Sequence, residues 1–371
     1  MTTVALALAV LQASGRAGDL GIVLAANMIP TLALLLVGGA VADRMSRRVL
    51  LIAANLASAA TMGALAATLI AAHYDLATAV GLSLLNGAVG AFTSPALRGI
   101  VPELVEPDDL QRANALLAST QNTVRIVAPT LASILVATAG GGWALAVDSL
   151  TYVLAALAFT RIPGSTRPLA TSQALWRDLV EGWSVFRSLR WVVLMTISFA
   201  LINAFNVGPW NVLGPMVVSH HSGALSWGTV QSVRAIGLLV MSVLALKIVL
   251  RHPLRDGRIW GTLAGLQLLA IGLSGQAWVV AAAAFIGGLG FTVAAITWET
   301  ALQTSVPAEA LSRVTAYDDL LSYLAIPVSQ LAVGPLAQSY GATQVSIACG
   351  IAYIAACLIP LASRELRSMT P

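Results

Sequence analysis

The chain alternates long apolar runs with short polar breaks. Apolar runs of helical length occupy approximately 20–41, 49–71, 76–97, 113–138, 143–161, 191–218, 226–248, 259–277, 279–302, 313–337 and 342–362. A membrane-spanning helix needs about 20 mainly apolar residues, so each run is long enough to cross a bilayer. The first run, 1–13, ends at Ser14, Gly15 and Arg16 and covers only part of a span. The pattern therefore predicts eleven full transmembrane helices and one partial helix, read here as a truncated first helix.

One segment breaks this pattern. In "LWRDLVEGWSVFRSLRW", Leu175, Leu179, Trp183, Phe186 and Leu189 recur at steps of three and four. That spacing predicts an amphipathic helix, and its arginines and tryptophans suit the inner membrane surface. It separates six apolar runs from six. The predicted organisation is an N-terminal bundle over 1–161, a cytoplasmic amphipathic linker over 162–190 and a C-terminal bundle over 191–371.

Composition agrees. Hydrophobic residues make up 58% of the 371 and charged residues 10%, with a mean hydropathy of +0.84. Soluble domains average roughly 45–50% apolar and about 25% charged. So few charges cannot cover the surface of a soluble protein this size. The chain reads as an all-α membrane protein with the lipid bilayer as its main partner.

The net charge of +4 and pI near 9.4 raise the question of nucleic-acid binding. The positions of the charges answer it. If the loop 43–48 is cytoplasmic, alternation places 17 of the 20 basic residues on that side. They include Arg161, Arg167, Arg177, Arg187 and Arg190 around the linker, and Lys247, Arg251, Arg255 and Arg258 in a later loop. The outer loops keep only Arg16, while Arg125 and Arg234 fall inside spans. This is the positive-inside bias of a multi-pass protein, and it requires no nucleic acid. It puts the linker and the C-terminus on the cytoplasmic side. Trp143, Trp227 and Trp278 fall at outer ends of spans and Trp191, Trp260 and Trp298 at inner ends, as interfacial belts would.

The two halves repeat each other weakly. "GIVPELVEPDDLQRANALL" leads into the fifth span and "QTSVPAEALSRVTAYDDLL" into the eleventh, the fifth of the second half. A six-plus-six repeat is the mark of a transporter built from parallel halves.

The stretch "GGAVADRMSRR" lies between the second and third spans. It resembles the signature loop of the major facilitator superfamily, roughly Gly-x-x-x-Asp-Arg-x-Gly-Arg-Arg. Gly39, Asp43, Arg44, Arg47 and Arg48 match, and Ser46 stands where the family has glycine. "PALRGIVPELVEPDDLQRANALLASTQNTVRIVAP" is similar to the branch containing enterobactin-type siderophore exporters and macrolide efflux proteins. The resemblance implies two six-helix bundles in a bacterial inner (plasma) membrane. It also implies a monomeric secondary transporter: proton-coupled efflux of an amphipathic drug, macrolide or siderophore by alternating access. A truncated non-transporting remnant and an importer of the same fold are the alternatives. Asp43 would face the N-terminus of the eleventh span or pair with Arg98, latching the cytoplasmic side.

Ionisable residues within spans are costly and are the first candidates for function. Arg125 and Asp148 fall at similar depth and could pair. Asp148 could also take up a proton, and Arg125 could meet an anionic substrate. Arg234 is central in its span, with an anionic substrate group as one candidate partner. Asp318 and Asp319 lie near the start of the eleventh span, and one of them could bind the proton. Pro129 resembles a degraded antiporter motif. Asn203, Asn206 and Pro209 lie in "NAFNVGPWNVLGP", which predicts a kinked, cavity-lining helix. No phosphate loop, zinc spacing or nucleophile with its base occurs, so no enzyme, cofactor or metal is expected.

The orientation is open to a direct check. In intact cells, a cysteine replacing His73 should react with a membrane-impermeant maleimide, and one replacing Ser46 should react only after permeabilisation. The reverse pattern would invert the topology.

Overall fold

The structure is a computed structural model that describes residues 2–104, 110–162, 175–245, 252–306, 308–363 and 366. Among them every regular element is helical. The chain divides into two compact units, Met1–Gln173 and Ala174–Pro371.

The first unit contains α1 (Thr2–Ser14), α2 (Ala17–Arg44), α3 (Arg47–Ile70), α4 (Leu76–Leu104), α5 (Leu110–Ala139) and α6 (Gly141–Thr160). Local signals set several of the helix ends. The Asp75 carboxylate accepts from the Thr78 backbone N–H and from the Thr78 hydroxyl, both at 2.8 Å, and so caps α4. Those bonds, the backbone one foremost, hold the Asp75 carboxyl below the ordinary carboxylate range. At the far end of α6, the Arg48 guanidinium donates to the Thr160 carbonyl at 2.5 Å, meeting one of the orphan acceptors of a helix C-terminus. α2 and α4 approach closely at Gly87, whose carbonyl accepts from the Thr31 hydroxyl at 2.8 Å. A Cβ there would lie 1.9 Å from the Asn27 carbonyl oxygen, so only glycine permits the crossing.

The second unit begins with α7 (Leu175–Ser188). α8 (Arg190–Gly208) continues through a π-helical turn, Pro209–Leu213, into α9 (Gly214–Ser222). Then follow α10 (Ala224–Ala245) and a broken run of α11 (Pro253–Gly261), a 3-10 turn (Thr262–Ala264) and α12 (Gly265–Leu273). α13 (Ala277–Ser305), α14 (Ala308–Tyr323), α15 (Ala325–Tyr340) and α16 (Ala342–Leu358) complete it. The π turn has a visible cause. Pro209 brings no N–H to the helical ladder. Immediately before it, the Ser329 hydroxyl of α15 accepts from the Gly208 N–H at 2.9 Å and donates to the Ala204 carbonyl, one turn further back. The hydroxyl thus stands where the Ala204–Gly208 helical bond would be.

Nine helical runs among the described residues are long and apolar enough to cross a membrane. Thr2–Ser14 and Thr123–Ala139 are shorter apolar helices. Among the described residues the first unit holds helices α1–α6 and the second α7–α16. The chain is an all-α, multi-pass membrane protein. The run expected at 259–277 starts earlier, at Pro253, and is interrupted by its 3-10 turn.

Several side chains differ from the sequence-based expectation. The second unit includes α7, and Phe186 is only 1% exposed. It joins a core with Trp191, Met195, Leu254, Trp298 and Val314. Trp183 and Phe186 also pack on the Tyr317 ring at 5.4 and 6.0 Å. Helical periodicity identified an apolar face, but this part of it meets protein rather than the membrane surface. The tryptophan belt is likewise only partial. Trp143, Trp260 and Trp278 are exposed, whereas Trp191, Trp227 and Trp298 are buried. Trp227 packs against Trp210 at 4.8 Å and Trp191 against Trp298 at 5.8 Å.

Gly87→Leu should lower the resistance of the purified protein to unfolding on titration with a denaturing detergent, by about 1–3 kcal/mol or more. A variant as resistant as the wild type would show that the α2–α4 crossing yields freely.

Candidate functional site

The second unit encloses a cavity of about 250 Å³ walled by α8, α11, α13, α14 and α16. Asn203, Arg258, Trp298, Asp318, Asp319 and Tyr353 are among the residues lining it. Asp318 is 4% exposed. Its Oδ1 accepts from the Thr196 hydroxyl of α8 at 2.6 Å and from Ser322 one turn on at 3.4 Å. Its Oδ2 accepts from the Trp298 indole N–H of α13 at 3.0 Å. All three partners are neutral. A buried carboxylate needs such donors, since burial without them is strongly unfavourable.

The Thr196 hydroxyl has a second option. It lies 3.0 Å from the Val192 carbonyl, four residues back on its own helix. A hydroxyl carries one hydrogen and can accept others. With Asp318 ionised, Thr196 donates to the carboxylate. With Asp318 protonated, the acid donates to Thr196, which turns its hydrogen to Val192. The short Thr196–Asp318 contact is satisfied in both states.

Arg258, expected in a cytoplasmic loop, is buried at 3% exposure. Its Nε donates to the Cys357 carbonyl at 3.2 Å and an Nη donates to the Ser198 hydroxyl. Its guanidinium carbon lies 4.8 Å from the Phe199 ring centre. Cys357 is in the last turn of α16, where unpaired carbonyls and the helix dipole both favour a cation. Counting basic residues by distance from a span end takes no account of helical face. The face was nonetheless readable: Leu254, Arg258 and Gly261 follow a four-and-three spacing, and all three are buried.

Arg234 lies in α10 with its guanidinium carbon 5.3 Å from the Trp210 ring centre and 5.9 Å from that of Phe291. Asn203 donates to the Ser322 carbonyl at 2.9 Å and faces the cavity. Asn206 accepts from Gln267 at 3.2 Å. Pro209 opens the π turn. Asp319 and Glu299 line the cavity, Glu299 being exposed and accepting from Gln303 at 3.1 Å.

In the first unit, Asp148 is buried and accepts from the Thr2 hydroxyl at 2.6 Å, which lies 3.0 Å from the Tyr152 hydroxyl. Arg125 is exposed on α5, and among the described residues it makes no ion pair with Asp148. The pairing expected from equal depth is therefore replaced by a hydroxyl contact, because depth along a helix does not define its face. Pro129 sits within α5 without ending it. Arg47 and Arg48 start α3, and Arg48 is engaged within its own unit at Thr160. Gly39, Asp43 and Arg44 fall in the last turns of α2 and Arg98 in α4, but their side chains lie outside the described residues.

The Major Facilitator Superfamily model matches residues 1–328. Multidrug efflux pump Tap of Mycobacterium tuberculosis is 26% identical over 97% of this chain and 88% of its own length. Macrolide efflux protein A of Streptococcus pyogenes is 29% identical over 48% of this chain and 45% of its own. Among solved structures, a POT family transporter in complex with 5-aminolevulinic acid matches with a TM-score of 0.75 at 15% identity, over 99% of this chain and 94% of that one. The nucleoside transporter NupG matches with a TM-score of 0.74 at 13% identity, over 97% and 93%.

Thr196→Val removes a buried donor from Asp318 while nearly preserving shape. It should destabilise the protein by about 1–3 kcal/mol near neutral pH, read by detergent unfolding. No measurable change would mean that the Thr196 bond carries no weight.

Proposed function

The chain belongs to the Major Facilitator Superfamily and is a membrane transporter, and from that premise we propose that it is a drug-efflux pump of a bacterial inner membrane, driven by proton antiport through alternating access. The likeness to a multidrug efflux pump along nearly the whole chain supports export of amphipathic small molecules. The two acceptors within reach of the Thr196 hydroxyl, Asp318 and the Val192 carbonyl, support the coupling part of the reading. Asp318 is the proton carrier. Thr196, Trp298 and Ser322 hold its carboxylate, and Arg258, Glu299, Asp319, Tyr323, Tyr353 and Cys357 are the other ionisable groups of the cavity that it shares.

The size of the cavity separates two tasks. Drug-sized ligands occupy pockets of roughly 300–1,000 Å³. A cavity of about 250 Å³ is too small for a whole macrolide and suits proton exchange or one end of a substrate. In this cycle Asp318 takes a proton from one side, substrate is released there, and deprotonation toward the other side prepares rebinding. A latch by Asp43 and Arg98 at the cytoplasmic side would keep the two steps in order.

Asp318→Asn should abolish the response of drug accumulation to an imposed pH gradient in inside-out vesicles, while leaving downhill exchange of labelled drug. Retained exchange also establishes that the variant is folded. Gradient-driven accumulation equal to wild type would remove Asp318 from the coupling.

A further inference from the structure

Proton coupling at Asp318 leaves one buried charge of the second unit unexplained. Arg234 lies in the interior of α10, and its Nε is sealed from solvent with no acceptor among the described residues. Among the described residues no acid is paired with it. Asp318 is taken up by Thr196, Trp298 and Ser322, and Asp256 by Arg255 at 2.9 Å.

Arg258 provides an internal comparison. A structural arginine spends its donors on the fold, as Arg258 does on the Cys357 carbonyl and the Ser198 hydroxyl. Among the described residues Arg234 has no hydrogen-bond acceptor; its guanidinium lies against the aromatic rings of Trp210 and Phe291, with the Tyr353 phenol near enough to act on its charge. The Trp210 ring is held in place, since its indole N–H donates to Gln231 at 3.0 Å and the ring packs on Trp227. Rings favour a cation but offer no acceptor for its N–H groups. An arginine planted in the apolar part of a helix, carried on fixed rings and left with a free donor, is arranged to receive an acceptor from outside the fold. Phe291 also lines the cavity holding Arg258 and Asp318, so the Arg234 group borders that cavity through this ring.

We propose that Arg234, with Trp210 and Phe291, is a recognition site for an amphipathic organic anion, in which the guanidinium binds a carboxylate or sulfonate and the rings pack on the apolar body. The proposal deepens the efflux reading and rests on it for the direction of transport. It adds a substrate class: compounds carrying one acidic group beside an aromatic or aliphatic body.

Binding of radiolabelled benzoate to the full chain, purified into phosphatidylcholine nanodiscs, tests the site without transport. Wild type should bind benzoate saturably, with competition by benzenesulfonate and little by benzylammonium or benzyl alcohol. Arg234→Gln should weaken benzoate binding by about tenfold or more, and Arg234→Lys by less. Phe291→Leu should weaken it to an intermediate degree. An unchanged detergent-unfolding midpoint for Arg234→Gln shows that the variant is folded. Absence of saturable binding, equal binding by wild type and Arg234→Gln, or equal competition by benzylammonium would each overturn the proposal. Competition by inorganic phosphate as strong as by benzenesulfonate would overturn the amphipathic part. Arg234-dependent binding in a protein that exports nothing from vesicles would leave the site standing and remove the efflux reading.

Discussion

An apolar interior makes every buried charge dependent on the groups that the fold can bring to it, and the second unit is organised around that constraint. Asp318 draws Thr196 from α8 and Trp298 from α13 onto α14. Arg258 draws the end of α16 and Ser198 of α8 onto α11. Two charges of opposite sign thus gather five helices around one cavity, each satisfied by neutral partners. An ion pair between them would have been rigid and costly to open. Separate satisfaction fixes Arg258 in the fold and lets the Asp318 carboxyl change protonation without breaking an ion pair.

The same economy explains the local irregularities. α8 does not pass through the bundle as a regular helix. Pro209 and the inserted Ser329 hydroxyl open it into a π turn, and Gly208 packs directly on the Ser329 backbone. Asn203, one turn and more before the break, is turned to the Ser322 carbonyl at the cavity. The α8 residues of the site, Thr196, Phe199, Ile202 and Asn203, thus lie in the regular part of the helix that precedes this break.

Much of the architecture was legible in the chain itself. Run length and polarity located the helical passes, because lipid requires long apolar segments and internally bonded backbone. The interruption at Thr262–Ala264 was not legible, since its residues are ordinary in a helix. The site was half legible. Asp318 stood out as an acid in a span, and its neighbours Thr196 and Trp298 did not, because a hydroxyl or an indole in an apolar run carries no signal of what it faces. Arg258 was hidden by the rule that counts arginine as cytoplasmic, although its spacing from Leu254 and Gly261 marked a buried face. Likewise Arg125 and Asp148 share a depth without sharing a face, and depth was all that the linear pattern offered.

The central claim is that Asp318 gains and loses a proton while its hydrogen-bond partners rearrange around it. Infrared difference spectroscopy during a pH titration of protein carrying isotope-labelled aspartate reads this most directly. The account predicts a labelled protonated-carboxyl band that grows on acidification in wild type and is missing in Asp318→Asn, accompanied by a change in the indole N–H signal that disappears in Trp298→Phe. Identical titration spectra for wild type and Asp318→Asn would contradict it.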